Sequence, residues 1–245
     1  MGESKLVDVR KVKLGPLKCY FEAKEFLGDQ YWLFFGIYFV SFLVAGFVPI
    51  ILLGPAMAGL SVCFLARANK QRVEFEYVYK GFDYFGPSVI ATLIYFAALL
   101  VLYIPFFVGM IGGVVLISSQ EPPLVISGIL IIVLAFSYLM LVASIAMMHL
   151  MFAILLIVDK KMDAWPATVL ALKGISRNLM EVIGVTAVGQ LIVTGGMMLC
   201  LVPAFLAIPI VITGHFIAYW KIYGVEASSI VDPKPAGVAQ GRQKY

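Results

Sequence analysis

The sequence predicts an all-α fold, a polytopic integral membrane bundle, on three observations. Its residues are 62% hydrophobic and 13% charged, with a mean hydropathy of +1.00, whereas soluble domains are roughly half apolar and about a quarter charged. The stretches 31–66, 85–120, 122–158 and 182–220 hold no Asp, Glu, Lys or Arg, and one membrane span needs only about 20 apolar residues. The 18 Lys and Arg all fall in four segments, 5–24, 67–80, 160–177 and 221–244. A soluble helical bundle would have no charged faces left to meet water.

Charge placement sets the expected orientation. Basic segments stay on the cytoplasmic side of a membrane, which predicts cytoplasmic N- and C-termini, two cytoplasmic hinges, and Glu121 on the outer side. Such segments attract anionic lipid by about 1 kcal/mol per residue near the surface. The bilayer is therefore the first expected partner, and no basic patch interleaved with aromatics suggests nucleic acid. Cys19, Cys63 and Cys200 form no CxxC pair, and a Cys in an apolar run behaves as a small hydrophobe. The first thirty residues carry charges throughout, so no secretory leader is expected and the first span serves as its own insertion signal.

Residues 1–30 read as a cytoplasmic segment: a flexible or surface-lying stretch to Leu14, then an amphipathic helix over Pro16–Gly28, with Pro in its first turn. Spans are expected near 31–48 and 50–67, turning at Pro49; a re-entrant hairpin is the alternative. Gly54, Ala58 and Ser61 share a face suited to close helix packing. A second surface helix is expected near 70–85, where Phe75, Val78, Tyr79, Phe82 and Phe85 follow helical spacing. Spans near 87–118 and 124–158 come next, joined at Glu121-Pro122-Pro123. Both exceed the bilayer core of about 30 Å, so they must bend, tilt or meet a partner, with Pro105 and Gly109–Gly113 as places to bend.

Asp159-Lys160-Lys161 reads as a charged hinge. A third surface helix follows near 162–178, with Asp163 as its N-cap, Pro166 in its first turn, and Trp165, Val169, Leu172 and Ile175 on one face. Spans near 180–201 and 203–221 complete the set of about six. Tyr219, Trp220 and Tyr223 make an interfacial anchor, and 224–245 is a cytoplasmic tail. The pattern of surface helix, span and proline occurs three times, with Lys24-Glu25-Phe26, Lys80-Gly81-Phe82 and Lys173-Gly174-Ile175 preceding Pro49, Pro105 and Pro203.

Ionised groups inside spans mark ion pathways, and the apolar runs contain none. Tyr138, His149 and Gln190 are the candidate polar intramembrane site. The alternative for each is a hydrogen bond to a neighbouring helix. His215, nearer the inner surface, is expected to be solvated or bonded to a carbonyl. Two histidines on different helices make no metal motif. No Ser–His–Asp set can be assembled, and the Gly109–Gly113 run lacks the context of a phosphate loop. No catalytic residue, metal or cofactor is expected.

The stretch Gly54-Pro55-Ala56-Met57-Ala58-Gly59, the basic hinge after it, and then Phe75, Lys80-Gly81-Phe82 and Phe85-Gly86 resemble a group of bacterial multi-pass proteins. These are the YciC-like proteins and the membrane region attached to some glycerophosphodiester phosphodiesterases. Val158-Asp159-Lys160, Ala167, Ala171 and Ser176-Arg177-Asn178 fit the same pattern, so the resemblance covers most of 54–224. It implies about six spans with cytoplasmic surface helices, and it carries over no catalytic residue. The expected place is the inner membrane of a bacterium, and the expected role is a non-enzymatic scaffold or accessory subunit that binds other membrane proteins or itself. The alternative is a channel or transporter for a small neutral or amphipathic solute.

Overall fold

A computed structural model of the chain describes residues 9–199 and 201–224. Among these residues there are nine α-helices: α1 Pro16–Leu27, α2 Tyr31–Phe47, α3 Pro49–Ala68, α4 Phe85–Leu102, α5 Ile104–Ser118, α6 Pro122–Lys160, α7 Ala164–Arg177, α8 Leu179–Met198 and α9 Val202–Tyr223. A 3-10 helix, Phe75–Tyr84, lies between α3 and α4. Six helical segments are long and apolar enough to cross a membrane, with α4 and α5 together forming one of them. The protein is an all-α polytopic membrane bundle.

Prolines start the helices where the sequence suggested turns. Pro49, Pro105, Pro122 and Pro203 each sit in the first turn of α3, α5, α6 and α9, where a missing N–H breaks no helical bond. The long run from Phe85 is therefore interrupted at Tyr103, between α4 and α5. The Tyr138 hydroxyl donates to the Leu102 carbonyl at this break, 3.1 Å away.

The described residues form three units, each a surface element followed by a helical hairpin. They are α1 with α2–α3, the 3-10 helix with α4/α5–α6, and α7 with α8–α9. The units interlock cyclically. The closing helix of each hairpin packs on the opening helix of the next: α3 on α4, α6 on α8, and α9 on α2. Each surface element covers the preceding hairpin: the 3-10 helix lies on α3, α7 on α6, and α1 on α9 and α8. The threefold pattern in the sequence corresponds to this arrangement.

The second surface helix is not the α-helix that the spacing predicts. Residues 69–74 turn, and Phe75–Tyr84 winds as 3-10. A 3-10 helix repeats every three residues, so Val78 and Gly81 are buried in one row while Tyr79, Phe82 and Phe85 lie exposed in another. The tight contact that selects this form is at Gly81. A Cβ there would collide with the Gly59 nitrogen and the Pro55 carbonyl, and one on Gly59 would strike the Val78 carbonyl.

Helix α7 forms where the spacing predicts, but Ile175 does not share the face of Trp165, Val169 and Leu172. Trp165, Val169 and Leu172 face outward, and the packed face is Ala164, Ala167, Thr168, Ala171, Gly174 and Ile175. Asp163 sits at the N-cap as predicted but makes no side-chain capping bond. In lipid the surroundings are as apolar as Leu, and close packing by small residues holds helices together.

Two polar expectations are corrected. Asp159 is not an exposed hinge: α6 runs through Lys160, and Asp159 is 2% exposed, accepting a hydrogen bond from the Tyr219 hydroxyl at 2.9 Å with the Lys160 ammonium 3.3 Å away. The helix ends at Lys161, which adopts a left-handed conformation. The stretch 9–14 is not loose. Asn178 accepts from the Val12 N–H and donates to the Arg10 carbonyl, both at 3.0 Å, and Glu181 accepts from the Leu14 and Gly15 N–H groups. The expected tail at 224–245 lies outside the described residues beyond Gly224.

The middle unit is longer than the other two. α6 extends 22 residues outward from Ser144 to Pro122, about 33 Å, whereas α8, which touches Ser144 through Gln190, ends eight residues further on, about 12 Å. About 20 Å of α5–α6 hairpin is left beyond that level. Gly113 and Gly128 hold it together: a Cβ on either would come within 3 Å of the other's carbonyl oxygen. Gly109 and Gly113 form a GxxxG pair, the spacing that lets helix backbones meet in lipid.

Candidate functional site

The bundle is most tightly packed around the inner half of α6, where Met148 and every residue from Leu150 to Asp159 are buried. Phe152 meets Tyr219 and Tyr223 edge-on, and Phe64 stacks between Phe34 and Phe216 at 5.3 and 5.0 Å. Helices α3, α6 and α9 close on one another through these rings.

Next to this packed zone is a cavity of about 120 Å³ between α2, α3, α6 and α9. Its inner walls include Ser41, Leu60, Phe64 and His215, and Phe42 and Met147 stand at its exposed edge, 59% and 39% accessible. The edge faces outward between α2 and α6, so the cavity opens sideways from the bundle. Two shielded polar atoms on its wall have no hydrogen-bond partner, the Ser41 hydroxyl and His215 Nε2. Thr213, whose hydroxyl is equally unpartnered, lines a smaller adjoining pocket that shares Tyr38, Leu60, Phe64 and Ile212 with the first. His215 is therefore neither solvated at Nε2 nor bonded to a carbonyl there, contrary to its sequence-based expectation.

Tyr138, His149 and Gln190 are not brought together. Tyr138 bonds to α4 at the outer break, as described. His149 Nε2 donates to the Thr168 carbonyl at 3.0 Å, tying α6 to α7, and this contact places the proton on Nε2. Gln190 donates to the Ser144 hydroxyl, tying α8 to α6. Each serves a different helix pair.

The Ser41–His215 pair had a faint signal in sequence. Ser41 lies on α2, whose neighbours are aromatic, and His215 lies six residues past Pro209 on α9. Nothing in the spacing shows that α2 and α9 meet, because 174 residues separate the two side chains.

Comparison of the chain with family models, with curated proteins and with solved structures finds no match to any of them.

Proposed function

We propose that the protein is a non-enzymatic scaffold or accessory subunit of a bacterial inner membrane, holding other membrane proteins or further copies of itself. The overhanging α5–α6 hairpin carries this reading. Its outward side chains, among them Phe107, Val108, Ile111, Ile126, Ile129 and Val133, are each 52% or more exposed, and no part of the described chain covers them. An exposed apolar surface of this extent marks an interaction site or a lipid contact. Nearly all the rest of the hairpin surface is apolar too, so a partner would need an equally apolar, membrane-embedded face.

The basic segments supply the orientation: the positive-inside rule favours cytoplasmic N- and C-termini, with anionic lipid held at that surface. Six candidate spans with surface elements between them are what the resemblance to the YciC-like membrane proteins implies.

Chemical crosslinking and native mass spectrometry in mild detergent test the role. The wild-type protein is expected as an oligomer or with a stoichiometric membrane partner. The double variant Val108→Asn, Ile129→Asn should shed that partner while keeping its thermal stability. A strict monomer with no copurifying protein counts against a scaffold.

A further inference from the structure

We propose that the lateral cavity between α2, α3, α6 and α9 is a binding site for the neutral, ring-sized, oxygen-bearing head of a membrane-dissolved molecule, of the phenol or quinone class. The inference goes beyond the scaffold reading and does not depend on it.

Size sets the first limit. A dry apolar cavity of about 150 Å³ accepts benzene, so 120 Å³ suits one compact ring and not a phospholipid head group. Shape sets the second. With Phe42 and Met147 at the exposed edge and Ser41 and Phe64 only 3% and 2% exposed within, a ligand would enter from the bilayer head first and leave an apolar tail in lipid. Flanking Met57, Met147 and Met151 offer polarisable sulfur to a ring edge.

The polar atoms supply the third limit. A serine in an apolar helix ordinarily returns its hydroxyl to a carbonyl three or four residues back. Ser61, Ser88, Ser118, Ser127, Ser137 and Ser144 all do so. Ser41 does not, and His215 Nε2 is likewise unpartnered on the same wall. A buried polar group without a partner is costly, and a ligand that supplies the missing hydrogen bond relieves that cost. Two such groups on one cavity wall are a binding arrangement in which a ligand oxygen accepts from Ser41 or from a protonated Nε2, or a ligand hydroxyl donates to them. No charged residue lines the cavity, so an ionised ligand would stay uncompensated and a neutral one is selected.

The test uses the full chain in lipid nanodiscs, with a decyl-substituted benzoquinone as probe and decylcyclohexane as its oxygen-free counterpart. The quinone is expected to bind saturably and to raise the unfolding temperature, with decylcyclohexane at least about tenfold weaker, as the loss of one hydrogen bond implies. Ser41→Ala should weaken quinone binding by a similar factor and leave decylcyclohexane unaffected. Met147→Trp should fill the cavity and abolish binding while the protein stays folded. The proposal is overturned if the two probes bind equally, if Ser41→Ala leaves quinone affinity unchanged, or if the folded protein binds neither. Ordered water bridging Ser41 and His215 in a structure determined with saturating quinone would also overturn it.

Discussion

At the scale of single residues, this molecule depends on side chains that are missing. Gly81 and Gly59 let the 3-10 helix lie directly on α3. Gly81→Ala is expected to lower stability by about 1–3 kcal/mol through overpacking, read as a fall in unfolding temperature in detergent. Gly112→Ala is the internal control: a Cβ there meets nothing within 4 Å, so stability should hold or rise by up to about 1 kcal/mol. Equal effects at the two positions would mean that the contact does not form. Asn178 acts through polar groups. Its amide also donates to the Gly174 carbonyl at 3.0 Å, so one side chain joins the N-terminal arm to the end of α7. Asn178→Ala should release residues 9–14, seen as faster amide exchange across that stretch, with protection of α9 largely kept. These roles were not visible in the sequence. Asn178 reads as a helix end and Gly81 as one position within a surface helix, and both owe their importance to a neighbour more than 20 residues away.

At the scale of elements, hydrophobic periodicity located the helices and left open which face packs. In a soluble protein the stripe of Trp165, Val169 and Leu172 would be buried against the core. They point away from the bundle instead. In a bilayer the outer face is solvated by hydrocarbon, so large apolar residues can face outward while Ala and Gly make the contact. The same inversion holds in α1, where Leu17 and Phe21 are exposed and Cys19, Tyr20 and Ala23 are buried. Substituting Val169→Ser should therefore leave stability within about 0.5 kcal/mol, whereas Ala171→Leu, at a position with no exposure, should destabilise by about 1–3 kcal/mol. The reverse order in a thermal unfolding series would restore the soluble-type orientation. The α5–α6 hairpin raises a related question. If its outward face sits in lipid or on an apolar partner, Val133→Lys should reduce membrane insertion, because Lys at mid-bilayer costs about 2.5–3.5 kcal/mol. Unchanged insertion would place that face in water.

At the scale of the whole molecule, cyclic interlocking predicts cooperativity. Each surface element covers the hairpin before it, so no unit has a complete interface of its own. Trp32 belongs to the first unit and Trp165 to the third. Variants that keep only one of these tryptophans should unfold at the same denaturant midpoint, as two-state behaviour requires. Separate midpoints would show that the units fold independently. The lateral cavity belongs to this scale as well, since α2, α3, α6 and α9 come from all three units.

By itself the sequence determined the membrane character, the helical class, the number of spans and the positions of most turns. These follow from local quantities: runs of apolar residues, the placement of charge, and prolines that end one helix and start another. Tertiary structure alone decided the 3-10 winding of 75–84, the outward face of α7, the burial of Asp159, the docking of the N-terminal arm, and the placing of Ser41 and His215 around one cavity. Each of these depends on how closely two backbones approach, which is set by atoms far apart in the chain.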